Sequence, residues 1–192
     1  MTTRDKLLDA AASLMREQGL ANVKTRHIAA LAGYTEATLY KHFIDKVDLM
    51  LAVLSERSTA FTALAEALAR TSGDLETRLT AIARALIDFY GDNFPMLASI
   101  FADRKLLETH KDKLRDRDAG PYKVNEALMR TLRREVEAGT IRADADLYGA
   151  AGLLVGSCMQ HAFLGHMGWP GRLTDGKAAT SFVRTLLAGV AS

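Results

Sequence analysis

Residues 24–46, KTRHIAALAGYTEATLYKHFIDK, hold two short helical patterns on either side of one glycine, and few folds satisfy that spacing. The first pattern, about Arg26 to Ala32, puts Ile28, Ala29 and Leu31 on a buried side. The second, about Thr35 to Phe43, buries Leu39 and Phe43. Two short helices that cross steeply need a small residue at the crossing, which Ala29 supplies. The turn needs a residue that accepts positive φ, and Gly33 supplies it four positions on. Leu39 then packs back under the first helix. Together these offsets predict a helix-turn-helix.

The wording around this frame carries a resemblance. Tyr34-Thr35-Glu36-Ala37-Thr38-Leu39-Tyr40-Lys41-His42-Phe43, with Asp45-Lys46 and Asp48-Leu49 behind it, resembles the recognition helix of the TetR family of bacterial transcriptional regulators. That family's usual wording is close to G-V-S-x-G-T-L-Y-x-Y-F-x-x-K-x-x-L. Gly33, Thr38, Leu39, Tyr40, Phe43, Lys46 and Leu49 match it, as do Ala10-Ala11, Gly19 and Ile28-Ala29 further upstream. The resemblance covers residues 4–50 and is one of architecture beyond them. It implies a homodimer that binds a palindromic double-stranded DNA operator and answers to a small-molecule effector. It also implies two recognition helices about 34–36 Å apart in successive major grooves.

Departures from the family wording matter as much. Lys24 stands where a capping Ser or Thr is usual; it cannot cap, but it can reach a phosphate as a point charge. Thr25 replaces a usually buried Val or Met, His27 a frequent acid, and Ala37 a common Gly. Glu36 has two readings: an acceptor for cytosine N4, or negative charge at its own helix N-terminus. The expected DNA-binding residues are Lys24, Arg26, Thr35, Glu36, Ala37, Tyr40, Lys41, His42 and Lys46. By resemblance Tyr40 and Lys46 hold phosphates, with His42 near the backbone. Thr35, Glu36, Ala37 and Lys41 are the candidates for reading sequence.

Alanine and leucine are abundant, valine and isoleucine sparse, and prolines are confined to 95, 121 and 170, which favours helix throughout. The fold expected is all-α. An N-terminal three-helix helix-turn-helix domain, residues 1–46, is joined by a long helix to a helical ligand-binding and dimerisation domain, residues 47–192. The formal net charge of +2 does not by itself point to nucleic acid. Lys24, Arg26, Lys41 and Lys46 outnumber Glu36 and Asp45 within the motif, so salt-sensitive binding through few phosphates is expected. A single cysteine, an N-terminus MTTRDKLLDAA without an apolar core, and no apolar run approaching about 20 residues predict a cytoplasmic protein without membrane contact.

Periodicity outlines the remaining helices. The first runs from about Thr3 to Glu17 and is closed by Gly19. The linking helix runs from about Lys46 to Arg70. A helix from residue 75 to about Tyr90 is broken at Gly91-Asp92-Asn93-Phe94-Pro95. Charge-dense residues 103–118 read as an exposed helix or a mobile connection. A helix from about Pro121 to Ala138 ends at Gly139. The next is capped by Asp144 or Asp146 and reaches about Gly165, and the last spans about Asp175 to Ala188.

Gly149, Gly152 and Gly156 fall on one stripe. With Phe182 and Leu186 of the last helix, they are the expected dimer interface, where the resemblance implies a four-helix bundle. Phe61, Phe89, Tyr90, Phe94, Met96, Ile100, Phe101, Tyr122, Met159, His161 and Phe163 are the candidate ligand-binding residues, and they suit an apolar or aromatic molecule. Any one of them reads more simply as a core residue at helical spacing. Cys158 and His161 share a helix face but His166 does not, and no acidic cluster completes a metal site, so no metal or other cofactor is expected. No phosphate-binding glycine loop, Gly-x-Ser-x-Gly or His-Glu-x-x-His occurs, and no enzyme is expected. The competing reading is a helical dimeric adaptor or small-molecule-binding protein whose DNA contacts are vestigial.

Overall fold

The computed structural model describes residues 1–190, apart from the side chains of Leu20 and Ala21. Among the described residues there are ten helices and no strand. They pack as two units. The first comprises Met1–Phe61 and Asp92–Asp118, the second Thr62–Gly91 and the chain from Ala119 on. The packing therefore does not divide at residue 46, and residues 47–61 and 92–118 belong with the N-terminal helices.

In the first unit, α1 (Thr3–Asn22) starts on a reciprocal cap. The Asp5 N–H donates to Thr2 Oγ1 at 3.1 Å, and the Thr2 N–H donates to Asp5 Oδ2 at 2.9 Å. The bonds from the Thr2 backbone and hydroxyl, then that from Arg57, hold the Asp5 carboxyl down at about 2, from an ordinary 3.8. A depressed carboxylate stabilises above its unfolded value and loses that contribution as pH falls through the folded one. The box should therefore persist at pH 3 and open near pH 2. A carboxyl-carbon titration of Asp5 with its midpoint near 4 would contradict this.

Gly19 does not end α1. It sits at φ +71° inside the run, and a further turn follows to Asn22. Then come α2 (Thr25–Leu31), α3 (Glu36–His42) and α4 (Lys46–Arg57). Leu7, Leu8, Ile28, Leu39, Leu49 and Met50 are fully buried at their junction. Leu31, expected inside, is 59 % exposed: it ends a two-turn helix, and α1 and α3 cover only the Ile28–Ala29 side.

The long linking helix is in fact two. Ser58 is extended (φ −91°, ψ 107°), and its hydroxyl accepts the Phe61 N–H at 3.1 Å, so α4 stops and α5 (Thr59–Ala69) begins. The expected break at residues 91–95 does not occur either. Helix α6 (Leu75–Ala102) runs through Gly91, Asn93 and Pro95. Proline has no N–H for the carbonyl of Gly91. That carbonyl instead accepts from His166 Nε2 at 2.8 Å. Residues 103–118 form α7 (Arg104–Asp116), capped by Asp103, which accepts the Leu106 N–H at 3.0 Å.

The second unit is built on α8 (Tyr122–Glu137), α9 (Leu147–His166) and α10 (Asp175–Val190), with α5 and the first part of α6. Leu79, Ile82, Leu86, Leu128, Leu154 and Val183 form its core. Asp146, not Asp144, caps α9 by accepting the Gly149 N–H at 2.9 Å. Contrary to the expectation that no run approaches membrane-spanning length, α9 is long and apolar enough by length and composition. It packs between α8 and α10 through Ala150, Leu154, Cys158 and Ala162, and a core helix of a folded unit passes the same test.

Candidate nucleic-acid interface

The turn between α2 and α3 is closed by backbone alone. The Gly33 N–H donates to Ala30 O at 3.0 Å and the Tyr34 N–H to Ala29 O at 2.8 Å. Gly33 sits at φ +80° with open space where a Cβ would lie, so only backbone strain opposes a side chain there. Gly33→Ala should cost about 1 kcal/mol in a denaturation titration.

Thr35 caps α3: its hydroxyl accepts the Thr38 N–H at 3.3 Å. Leu39 and Phe43 face inward, which leaves Thr35, Glu36, Ala37, Tyr40, Lys41 and His42 exposed on one side. Lys24 and Arg26, at the start of α2, are exposed as well, and Lys24 makes no side-chain cap. Lys46 differs from the others: it is only partly exposed, and burial pulls its ammonium below the ordinary range while Asp103 opposes that shift. Behind the face, Arg4 lies over the Phe43 ring at 5.3 Å and Lys6 over the Tyr34 ring at 5.9 Å.

Two features escaped the sequence reading. Thr25, noted only as a departure from a buried apolar residue, places its hydroxyl 2.5 Å from Glu36 Oε1 and 3.2 Å from the Tyr40 hydroxyl. Glu36 is thus bonded across the two helices. The second feature is an anchor on the start of α4. Lys113 Nζ lies 3.0 Å from Asp45 Oδ2, and Arg117 2.5 Å from Asp48 Oδ1. Asp45 also caps α4 through the Asp48 N–H at 2.8 Å. Partial burial pushes the Asp48 carboxyl up, but the bonds from Arg117 and the Ile44 N–H outweigh it and hold it below the usual range. The signal was a pair of cations four apart and a pair of carboxylates three apart, which no local rule matches to each other.

The candidate ligand residues are distributed over both units. Met96 and Ile100 are buried in the N-terminal core. Phe89 and Tyr90 pack edge to face, centroids 5.4 Å apart, against the core of the second unit. Phe94 is partly buried, while Phe61, Phe101 and Tyr122 are exposed. His161 is buried, with Nε2 3.0 Å from Asp175 Oδ1, and Arg172 shares that carboxylate at 2.7 Å. Met159 and Phe163 lie on the open side of α9, in the same stripe as Gly152 and Gly156. Gly149, one turn before Gly152, lies against its own helix cap: a Cβ there would meet the Asp146 carboxylate at 2.7 Å. Phe182 and Leu186 are partly buried on the core of their own unit. Burial pushes the Cys158 thiol up to about 12, which leaves it un-ionised and inert as a nucleophile at neutral pH.

A short helix with its apolar side seated on two others and a polar side in solvent defines a helix-turn-helix domain. Residues 7–53 match the family described as bacterial regulatory proteins, tetR family. Over 86 residues, 45 % of this chain, it is 34 % identical to the uncharacterized HTH-type transcriptional regulator YvkB of Bacillus subtilis (strain 168), covering 44 % of that protein. It is equally identical, over the same length, to the HTH-type transcriptional activator FasR of Mycolicibacterium smegmatis (strain ATCC 700084 / mc(2)155), covering 39 % of it. The matches thus span less than half the length of either relative. The fold is similar to that of SmeT, the repressor of the Stenotrophomonas maltophilia multidrug efflux pump SmeDEF. The TM-score is 0.69 at 24 % identity, over 100 % of this chain and 92 % of that one. SmeT has also been solved as a complex with triclosan.

Proposed function

We propose that this chain is a ligand-responsive transcriptional repressor that binds a palindromic operator as a homodimer. The observation that carries this reading is the exposed side of α3, with Thr35, Glu36, Ala37, Tyr40 and Lys41 presented together on a buried frame. A helix of this size fits the major groove, where its first residues reach base edges. Lys24, Arg26 and His42 flank it as phosphate contacts. The proposed place of action is the cytoplasm.

The open stripe of α9 supports dimerisation. Tyr148, Leu153, Met159 and Phe163 are 75, 69, 47 and 41 % exposed, and Gly152 and Gly156 between them leave room for a second helix. An apolar stripe of this length on a helix suits a second copy of the same helix across a two-fold axis. Leu153→Asp should yield a monomer in light scattering, at 20.9 kDa instead of twice that mass. A variant that stayed dimeric would move the interface off α9.

The proposed effector is a small apolar or aromatic molecule, the chemistry of the aromatic and methionine side chains between Phe61 and Phe163. SmeT, similar in fold, is known with triclosan. To release DNA, the effector must bind the DNA-incompetent state more tightly. The anchor of Lys113 and Arg117 on Asp45 and Asp48 gives α7 a grip on the start of α4, directly behind α3, and is the proposed handle for that change. Repression is proposed because a bound dimer most simply blocks polymerase. FasR, a relative over part of its length, is an activator, so the sign is tested directly. Selection from a random duplex library, with Lys41→Ala as control, should enrich one palindrome more weakly bound by the variant. A reporter behind that site should rise when the gene is deleted. No enriched site at low salt would overturn the reading.

A further inference from the structure

Thr25 opens α2 and Glu36 opens α3, yet one hydroxyl joins Glu36 Oε1, at 2.5 Å, to the Tyr40 phenol, at 3.2 Å. A hydroxyl has one proton to donate, and a carboxylate can only accept. The Thr25 proton therefore goes to Glu36, and the Tyr40 phenol must donate to Thr25 Oγ1. The relay has one direction, from Tyr40 through Thr25 to Glu36.

What this relay leaves for a partner is all acceptor: the remaining carboxylate lone pairs of Glu36 and the lone pairs of the Tyr40 oxygen. Both residues are exposed. Phosphate oxygens are acceptors as well and do not complement such a surface. Its complement is a donor. In the major groove, the donors are the exocyclic amines of cytosine and adenine, whereas guanine offers two acceptors and thymine an acceptor and a methyl. Adenine sets its N7 acceptor beside its amine, so cytosine N4 is the better match.

We infer that Thr25 is a positioning residue that fixes the Glu36 carboxylate and the Tyr40 phenol as acceptors, so that this end of α3 selects cytosine at one position of each half-site. The inference rests on the DNA-binding reading above. Glu36 is then bound in place rather than a stray negative charge on a DNA-facing surface.

The test compares sites selected from a random duplex library by the wild type, Glu36→Gln, Thr25→Val and Thr25→Ser. Preferences are read base by base, and circular dichroism checks that each variant is folded. The wild type should enrich cytosine at one half-site position. Glu36→Gln, which can donate as well as accept, should reduce that preference about 10-fold. Thr25→Val should weaken it several-fold while the other positions keep theirs, and Thr25→Ser should retain it. If Thr25→Val does not fold, the Glu36→Gln profile decides alone. A site whose base preferences are the same in wild type, Glu36→Gln and Thr25→Val would overturn the inference and leave the regulator reading intact. So would guanine or thymine enriched at the position that responds to Glu36. No enriched site for the wild type would overturn both.

Discussion

Glu135→Ala should lower the stability of this protein by about 3–5 kcal/mol, the usual consequence of removing one partner of a buried ion pair. Glu135 of α8 pairs with Arg78 of α6, and the Arg78 residue is only 6 % exposed. Without the carboxylate, a guanidinium stays buried with nothing to offset its lost hydration. Its Nε already lacks a hydrogen-bond partner in the structure. Thermal unfolding should report a fall in Tm of roughly 6–20 °C, given about 2–4 °C per kcal/mol for a chain of this size. The pair need not be a net stabiliser, however. Arg78→Met with Glu135→Leu removes both charges together and should come out close to wild type or above it. A single variant costing under about 1 kcal/mol would show that the pair behaves as a solvated surface contact.

Leu39→Ala should cost about 2–5 kcal/mol and should weaken any operator binding in parallel. Leu39 has no exposed surface and sits where α2, α3 and α1 meet, beside Ile28 and Ala29. A seven-residue helix has little stability of its own, so α3 depends on this anchor and on Phe43 for its orientation. Leu39→Met, which nearly conserves volume, should cost less than about 1.5 kcal/mol and keep the binding. Denaturant titrations on both variants, read against binding to the selected site, separate the two effects. If Leu39→Ala lost stability but bound normally, α3 would not be the DNA-contacting helix.

The helix-turn-helix was legible because its requirements lie within about twenty residues. Ala29, Gly33 and Leu39 are tied by local geometry, and each takes the predicted place. Thr35 and Asp45 likewise cap the helices that their side chains announce. Ser58 was legible in the same way and was missed: a serine followed by threonine inside an apolar stripe is a capping signal, and it divides the linking helix. The glycines of α9 were read as one stripe; Gly149 also lies against the Asp146 cap, while Gly152 and Gly156 have open space around them.

Other features had no local trace. Pro95 reads as a helix breaker by every short-range rule. It is tolerated because His166, far along the chain, supplies the hydrogen bond that the Gly91 carbonyl would otherwise lack. Leu31 shares a periodic face with Ile28, yet only packing decides that nothing covers it. By itself the sequence determined the all-helical class, most of the helix caps and the helix-turn-helix, since each follows from contacts a turn or two apart. Tertiary structure alone decided that Thr25 binds Glu36 and Tyr40, that Lys113 and Arg117 hold the start of α4, and that Arg78 is buried against Glu135. Those pairings join residues 11 to 69 positions apart, and hydrogen-bonding and charge patterns in one dimension do not specify which distant partner a group will meet.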